Sequence, residues 1–137
     1  MDTIEIPPRG PIDAAIALPG SKSITNRALI IAALAEGTTI LSNWLECEDT
    51  AVMIRCLLSL GFSISRGLGD PLSPLSPRLG ERARVRGGPK GGEERLVITG
   101  GGGKVPSPGA SLNALNSGTT IRFLAGLVSL GRGRFIL

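Results

Sequence analysis

Two cations and several hydroxyls are gathered where an amphipathic helix begins, in Leu18-Pro19-Gly20-Ser21-Lys22-Ser23-Ile24-Thr25-Asn26-Arg27. The combination reads as an oxyanion site. Pro19 and Gly20 break the preceding extended segment and let the backbone approach a ligand closely, after which Ser21 can cap the helix. The first N–H groups of a helix have no partner within it and are available to an anion. Ser23 and Arg27, four residues apart, share one helix face. Arg27 can fork two N–H groups onto a phosphate or carboxylate, and Lys22 adds a compact, mobile charge beside it. A phosphorylated or carboxylated small molecule fits this pattern. The plain alternative is a capped surface helix with two solvated cations.

A second group lies far along the chain. Asn116-Ser117-Gly118-Thr119 puts polar side chains and free N–H groups at another helix start, with Gly100–Gly103 and Pro106-Ser107-Pro108-Gly109 as a permissive approach. By itself this is also an ordinary turn and cap. With the first group it suggests two helix dipoles converging on one cleft for anions. Arg122, one turn into that helix, is either a third cation there or a partner for an acid such as Asp49, and the structural role is the expected one.

The elements that must hold these groups read as an α/β chain. Thr3–Ile6 and Ala14–Leu18 are extended. A helix is predicted from Lys22 to Ala35, with Ile24, Ala28, Ile31 and Ala35 as its buried stripe and Gly37 as its stop. Thr38–Ser42 is a strand of β-branched character. Asp49 or Thr50 can cap a second helix, whose Val52, Met53, Cys56, Leu57 and Leu60 form one apolar side before Gly61. Phe62–Ser65 and Leu96–Thr99 look like paired strands. A third helix runs from Thr119 to Leu130 with Ile121, Leu124, Ala125 and Val128 as its stripe, and Phe135–Leu137 is a final strand. The order is close to β-α-β-α-β-β-α-β.

Between the paired strands, residues 67–95 break the pattern. Six cations stand against four acids there, a net +2 that supplies half of the chain's +4, among seven glycines and four prolines. Such a composition cannot bury enough surface to offset its ordering entropy, so a disordered or loosely held insert is expected. A surface hairpin tolerates an insertion because loop-closure cost grows only logarithmically with length. A basic nucleic-acid-binding arm is the alternative, against which stands the lack of any aromatic residue to stack a base.

The two ligand groups resemble a known family. Pro19-Gly20-Ser21-Lys22-Ser23 with Asn26-Arg27-Ala28-Leu29, and a small-residue helix closing on Ala35-Glu36-Gly37, is similar to the N-terminal signature of the 5-enolpyruvylshikimate-3-phosphate synthases. The resemblance continues through Asn43-Trp44-Leu45 and Glu46-Cys47-Glu48-Asp49-Thr50, and returns in Leu115-Asn116-Ser117-Gly118-Thr119-Thr120-Ile121-Arg122. The sister UDP-N-acetylglucosamine enolpyruvyl transferases typically carry Asn at the position of Ser23, so Ser23 and Arg27 favour the shikimate family.

This resemblance implies the enolpyruvyl transferase fold, with repeated βαβαββ units whose helices pack inside mixed sheets and an active site between two domains. Residues 1–18 would hold strands that pair with the other domain, and residues 19–137 an incomplete domain interrupted by the insert. Lys22, Ser23 and Arg27 match positions that bind shikimate 3-phosphate. Lys22, also the catalytic residue carried over, matches a position facing phosphoenolpyruvate together with Asn116, Gly118 and Thr119. The implied reaction transfers the enolpyruvyl group to the 5-hydroxyl of shikimate 3-phosphate and releases phosphate, in aromatic amino acid biosynthesis. It uses no cofactor or metal, and the family is typically monomeric. Family members are much longer and draw further acids, a second lysine and several arginines from later in their chains. The 137 residues are therefore expected to be an N-terminal fragment, inactive alone; a non-catalytic remnant that binds a phosphorylated metabolite is the alternative.

The rest of the composition sets bounds. The chain is 42% hydrophobic and 19% charged, and no apolar run approaches the ~18 residues of a membrane span. Met1-Asp2-Thr3-Ile4-Glu5 is acidic where a secretory leader needs cations, so a cytoplasmic protein with no membrane partner is expected. Cys47 and Cys56 occur without any histidine, which supports neither a zinc site nor a disulfide framework and suggests two small buried residues. Without partners for residues before Pro19, the isolated chain is expected to be marginal or self-associated.

Overall fold

Backbone spacing and apolar pattern produce eight short elements in the computed structural model, which describes residues 18–68 and 94–137 together with Thr3–Glu5, Pro7, Pro8, Gly10, Pro11, Asp13 and Ile16. In chain order they are α1 (Lys22–Leu34), β1 (Thr38–Leu41), α2 (Glu48–Ser59), β2 (Ser63–Leu68), β3 (Glu94–Thr99), β4 (Gly109–Ser111), α3 (Gly118–Val128) and β5 (Arg134–Ile136). The α/β order matches the one predicted with two differences. The described residues before Pro19 belong to no helix or strand, and a strand, β4, lies where only a permissive approach was expected.

The strands form two sheets. In the first, β3 is central and antiparallel to both neighbours, pairing Thr38↔Thr99 through Leu41↔Leu96 on one side and Ser63↔Thr99 through Leu68↔Glu94 on the other. Leu96 and Ile98 alternate inward from β3, the period of two expected of a half-buried strand. In the second, β4 and β5 pair in parallel across α3. Gly109 is needed in β4 because a Cβ there would press on the Arg134 carbonyl oxygen, 2.7 Å away. The expected insert begins and ends inside the first sheet. Gly67, Leu68, Glu94 and Arg95 are strand residues, which corrects its edges, and residues 69–93 lie outside the described residues.

α1 touches β1 and β3, α2 touches β2, and α3 packs on α1 and α2. The core between them holds Leu29, Ala33, Val52, Met53, Leu57, Leu60, Leu96, Ile98, Leu124 and Leu127. The predicted side of α2, Val52, Met53, Cys56, Leu57 and Leu60, is buried throughout. The predicted stripes of α1 and α3 are rotated. α1 buries Thr25, Asn26, Leu29, Ala32 and Ala33, leaving Ile24 65% and Ile31 69% exposed. α3 buries Thr120, Leu124 and Leu127, while Ile121 and Ala125 face out. Both helices are apolar around most of their circumference, so spacing alone admits two faces. The small pair Ala32 and Ala33 allows the closer approach to neighbouring elements.

Helix ends explain several glycines. The N–H groups of Gly101, Gly102 and Gly103 donate to the carbonyls of Ala33, Ala35 and Leu34, and that of Gly100 donates to Gly37. The run Gly100–Gly103 therefore closes the C-terminal end of α1, satisfying carbonyls that the helix leaves unpaired. It does not form an approach to the anion group, which lies at the other end of a 13-residue helix, about 20 Å away at the helical rise per residue. Gly20 likewise serves the fold. A Cβ there would run into the backbone of Asn43, Trp44 and Leu45, so the close approach it permits is by the chain itself and not by a ligand.

Candidate functional site

Three helices begin at one place. Ser21 occupies the N-cap of α1 with no side-chain cap hydrogen bond, and no acid lies in the first turn. Its own first turn thus supplies no acid to its leading N–H groups or to the positive end of its dipole. α2 is capped two residues before Asp49 and three before Thr50, the predicted caps. Cys47 is the N-cap in a capping box with Thr50, whose Oγ1 accepts from the Cys47 N–H at 3.0 Å, and Glu48 and Asp49 fill the first turn. α3 is capped by Ser117, whose Oγ accepts from the Thr120 N–H at 3.3 Å.

Side chains join these starts. Lys22 Nζ lies 2.7 Å from Asp49 Oδ2, with the lysine side chain 53% exposed and the aspartate 25%. Thr120 Oγ1 lies 2.8 Å from Ser117 Oγ and 3.5 Å from the Asp49 carbonyl oxygen, which ties α3 to α2. Hydrogen bonds from Lys22 and then from Ser117 hold the Asp49 carboxyl below its ordinary value of 3.8. The hydroxyl of Ser117 has one proton, given to Thr120 or to Asp49 at any moment. Bonding to Asp49 and the attraction of its charge hold the Lys22 amine above 10.5. Lys22 is thus a cation at any physiological pH.

The segment from Asn43 to Cys47 runs across this end. The Leu45 N–H donates to Thr25 Oγ1 at 3.1 Å, and Thr50 Oγ1 donates to the Leu45 carbonyl at 2.8 Å. Behind it, Arg66 bonds Glu46 at 2.7 Å and stacks over Trp44 at 4.9 Å. Between α2 and the turn into α3 lies a cleft of about 220 Å³ lined by Glu48, Asp49, Val52, Leu115, Asn116 and Ser117. Leu115 adopts a left-handed φ of 49°, held by its N–H donating to Asn113 Oδ1 at 2.9 Å. A non-glycine residue in that region is strained, and here it is at the rim of the cleft.

The expected ligand residues are distributed around this junction. Lys22 is joined to the start of α3 through Asp49. Ser23 and Arg27 are exposed on one face of α1, and Arg27 makes no ion pair among the described residues. Asn116 and Gly118 are exposed and Thr119 is half-buried. A Cβ added at Gly118 would meet nothing within 4 Å, so the space before it is open. Arg122 does not pair with Asp49, whose carboxylate is occupied by Lys22. Cys56 is buried, its thiol pushed up by desolvation, but Cys47 is only half-buried because it caps α2. No group of three metal-ligating side chains occurs among the described residues, and none of their helices is long and apolar enough to cross a membrane.

The junction roles of two residues were not read from the sequence. Asp49 meets Lys22 across a separation no local pattern spans, and an acid in a first helical turn is already explained by the dipole. Asn26 is fully buried with neither amide atom hydrogen-bonded. It carried a legible signal, a polar residue in register with Leu29 and Ala33 on the helix face.

Residues 6–69 match the family model described as EPSP synthase (3-phosphoshikimate 1-carboxyvinyltransferase). The chain is 41% identical to the 3-phosphoshikimate 1-carboxyvinyltransferase of Nostoc punctiforme and 35% identical to that of Salmonella paratyphi B, over 138 residues that take in 100% of this chain and 27% of each relative. It therefore spans about a quarter of the length of the curated relatives it matches. An EPSP synthase structure from Acinetobacter baumannii matches with a TM-score of 0.53 and 32% identity, covering 83% of this chain and 21% of that one. The observed helices and sheets are thus part of the enolpyruvyl transferase fold of those structures.

Proposed function

We propose that this chain, related in sequence and fold to the N-terminal part of EPSP synthases, forms the portion of such an enzyme that holds shikimate 3-phosphate and one side of phosphoenolpyruvate. The observation that carries the reading is the Lys22–Asp49 contact, which sets an always-charged amine between the uncapped start of α1 and the start of α3. In this reading Lys22, Ser23 and Arg27 bind the phosphorylated ring. Lys22 also reaches phosphoenolpyruvate, which lies against Asn116, Gly118 and Thr119 in the open space before Gly118.

The chemistry is enolpyruvyl transfer. The ring hydroxyl gives its proton to a base and adds to the enol carbon of phosphoenolpyruvate as its methylene takes a proton; phosphate then leaves the tetrahedral adduct as the new methyl group gives up a proton and the enol double bond is restored. A cation fixed beside the leaving phosphate stabilises charge that develops there in the transition state, the role assigned to Lys22. The uncapped N–H groups of α1 add partial positive charge at no cost in reorganisation. The setting is cytoplasmic, with two phosphorylated small molecules as partners and neither metal nor cofactor.

The 137 residues alone are proposed to bind without turnover. Calorimetry with shikimate 3-phosphate at millimolar concentration should give a binding isotherm that is weakened, though still measurable, on Lys22→Ala, while phosphate release from both substrates stays at background. Absence of heat, or heat unchanged in the variant, removes the binding reading. Steady turnover by the purified chain removes the claim that it is inactive alone.

A further inference from the structure

We infer that Asp49 is a positioning residue of this site: its carboxylate fixes the Lys22 ammonium at the junction of three helix starts, leaving the remaining ammonium protons turned toward an incoming phosphorylated ligand. This rests on the function proposed above and adds to it a residue with no ligand role so far.

Three observations carry the inference. Lysine is a point charge on a flexible four-carbon stem, and an exposed one spends its time among many rotamers. At 2.7 Å from Asp49 the stem has one anchored end, while the 53% exposure of the side chain leaves its other protons accessible. Ordering that stem before the ligand arrives removes part of the entropy that binding would otherwise lose.

Asp49 itself is well held. It is the second residue of α2, its side chain is largely covered, and its carbonyl accepts from Thr120 of α3. The anchor is thus fixed to two helices while the anchored group stays in solvent. Glu48 and Cys47 are the other titratable groups at this end of α2, and neither takes Lys22 as a bonded partner.

Asn26 is the third observation. It lies one helical turn from Lys22 on the same side of α1, buried, with both amide atoms unpartnered. Burying an unsatisfied amide is unfavourable, and an apolar residue would pack there at lower cost. The unpartnered amide atoms of Asn26 lie one turn along α1 from Lys22, at the end of the helix that meets Asp49.

Calorimetric titrations with shikimate 3-phosphate on the 137-residue chain, its Asp49→Asn and Lys22→Ala variants and the double variant test the inference. Asp49→Asn should weaken binding about tenfold, the scale of one lost charge-assisted contact. In the Lys22→Ala background the same change should have no further effect. A loss that persists without Lys22 overturns the inference, since Asp49 then acts through α3, and so does unchanged affinity. Asp49→Glu, which keeps the charge, should restore part of the affinity.

A readout without ligand separates this inference from the function it rests on. The titration midpoint of the Lys22 amine, followed by carbon NMR at Cε, should fall in Asp49→Asn. An unmoved midpoint overturns the positioning pair. If the unsubstituted chain binds no shikimate 3-phosphate while the midpoint still falls, the proposed ligand is wrong and the pair stands.

Discussion

Lys22 and Asp49 stabilise each other, and the sign of their pKa displacements fixes the pH window. Asp49 is held below 3.8, so its contribution is present above that value and is lost as pH falls through its folded pKa. Lys22 is held above 10.5, so its contribution is present below that value and is lost as pH rises through its folded pKa. Lys22→Met should therefore lower the urea midpoint by a constant amount between about pH 5 and 9, with the difference vanishing in stronger acid. A difference that grows in acid would contradict the pair. Two glycines give opposite expectations. Gly118→Ala has open space before it and should leave thermal stability unchanged or slightly higher, by up to about 1 kcal/mol, since alanine is the better helix former. In the function proposed here the added methyl group occupies space meant for phosphoenolpyruvate, so the same variant should bind that ligand more weakly. Gly100→Ala would force a methyl group onto the carbonyls of Ala32 and Ala35 and should destabilise by more than about 1 kcal/mol in a thermal melt.

Among the elements, α1 has two apolar faces and only one is used. Leu29→Ala should cost about 2–5 kcal/mol, the range for truncating a fully buried leucine. Ile31→Ala, two residues on but 69% exposed, should change stability by less than about 0.5 kcal/mol. Chemical denaturation of the two variants distinguishes the observed face from the one that spacing suggested. α2 shows the opposite case, since its polar positions leave a single apolar side and the predicted five residues are its five buried apolar ones, beside the buried Thr50. The start of α1 was legible from Ser21 and that of α3 to within a residue from Asn116–Thr119, but the cap of α2 was not. Cysteine is a weak acceptor and carries no strong capping signal, so the capping box it forms with Thr50 is visible only in three dimensions.

For the molecule as a whole, the β2–β3 ladder stays in register to Leu68↔Glu94, so the two ends that residues 69–93 connect already lie side by side. Replacing residues 69–93 with a short turn should keep the fold and stabilise it by about 1–2 kcal/mol, because closing a shorter loop costs less entropy. A lower melting temperature on replacement would show that the segment packs against the domain. The sequence by itself determined the alternation of helices and strands, the pairing of Ser63–Ser65 with Val97–Thr99 and the two glycine-bounded helix starts, because local periodicity and capping chemistry are written within a few residues. Only the tertiary structure decided which face of α1 and α3 is covered, that Gly100–Gly103 closes α1 instead of approaching an anion, and that Lys22 pairs with Asp49. Each of those outcomes depends on groups distant in sequence meeting in space, and no local pattern records which of several allowed partners a side chain will meet.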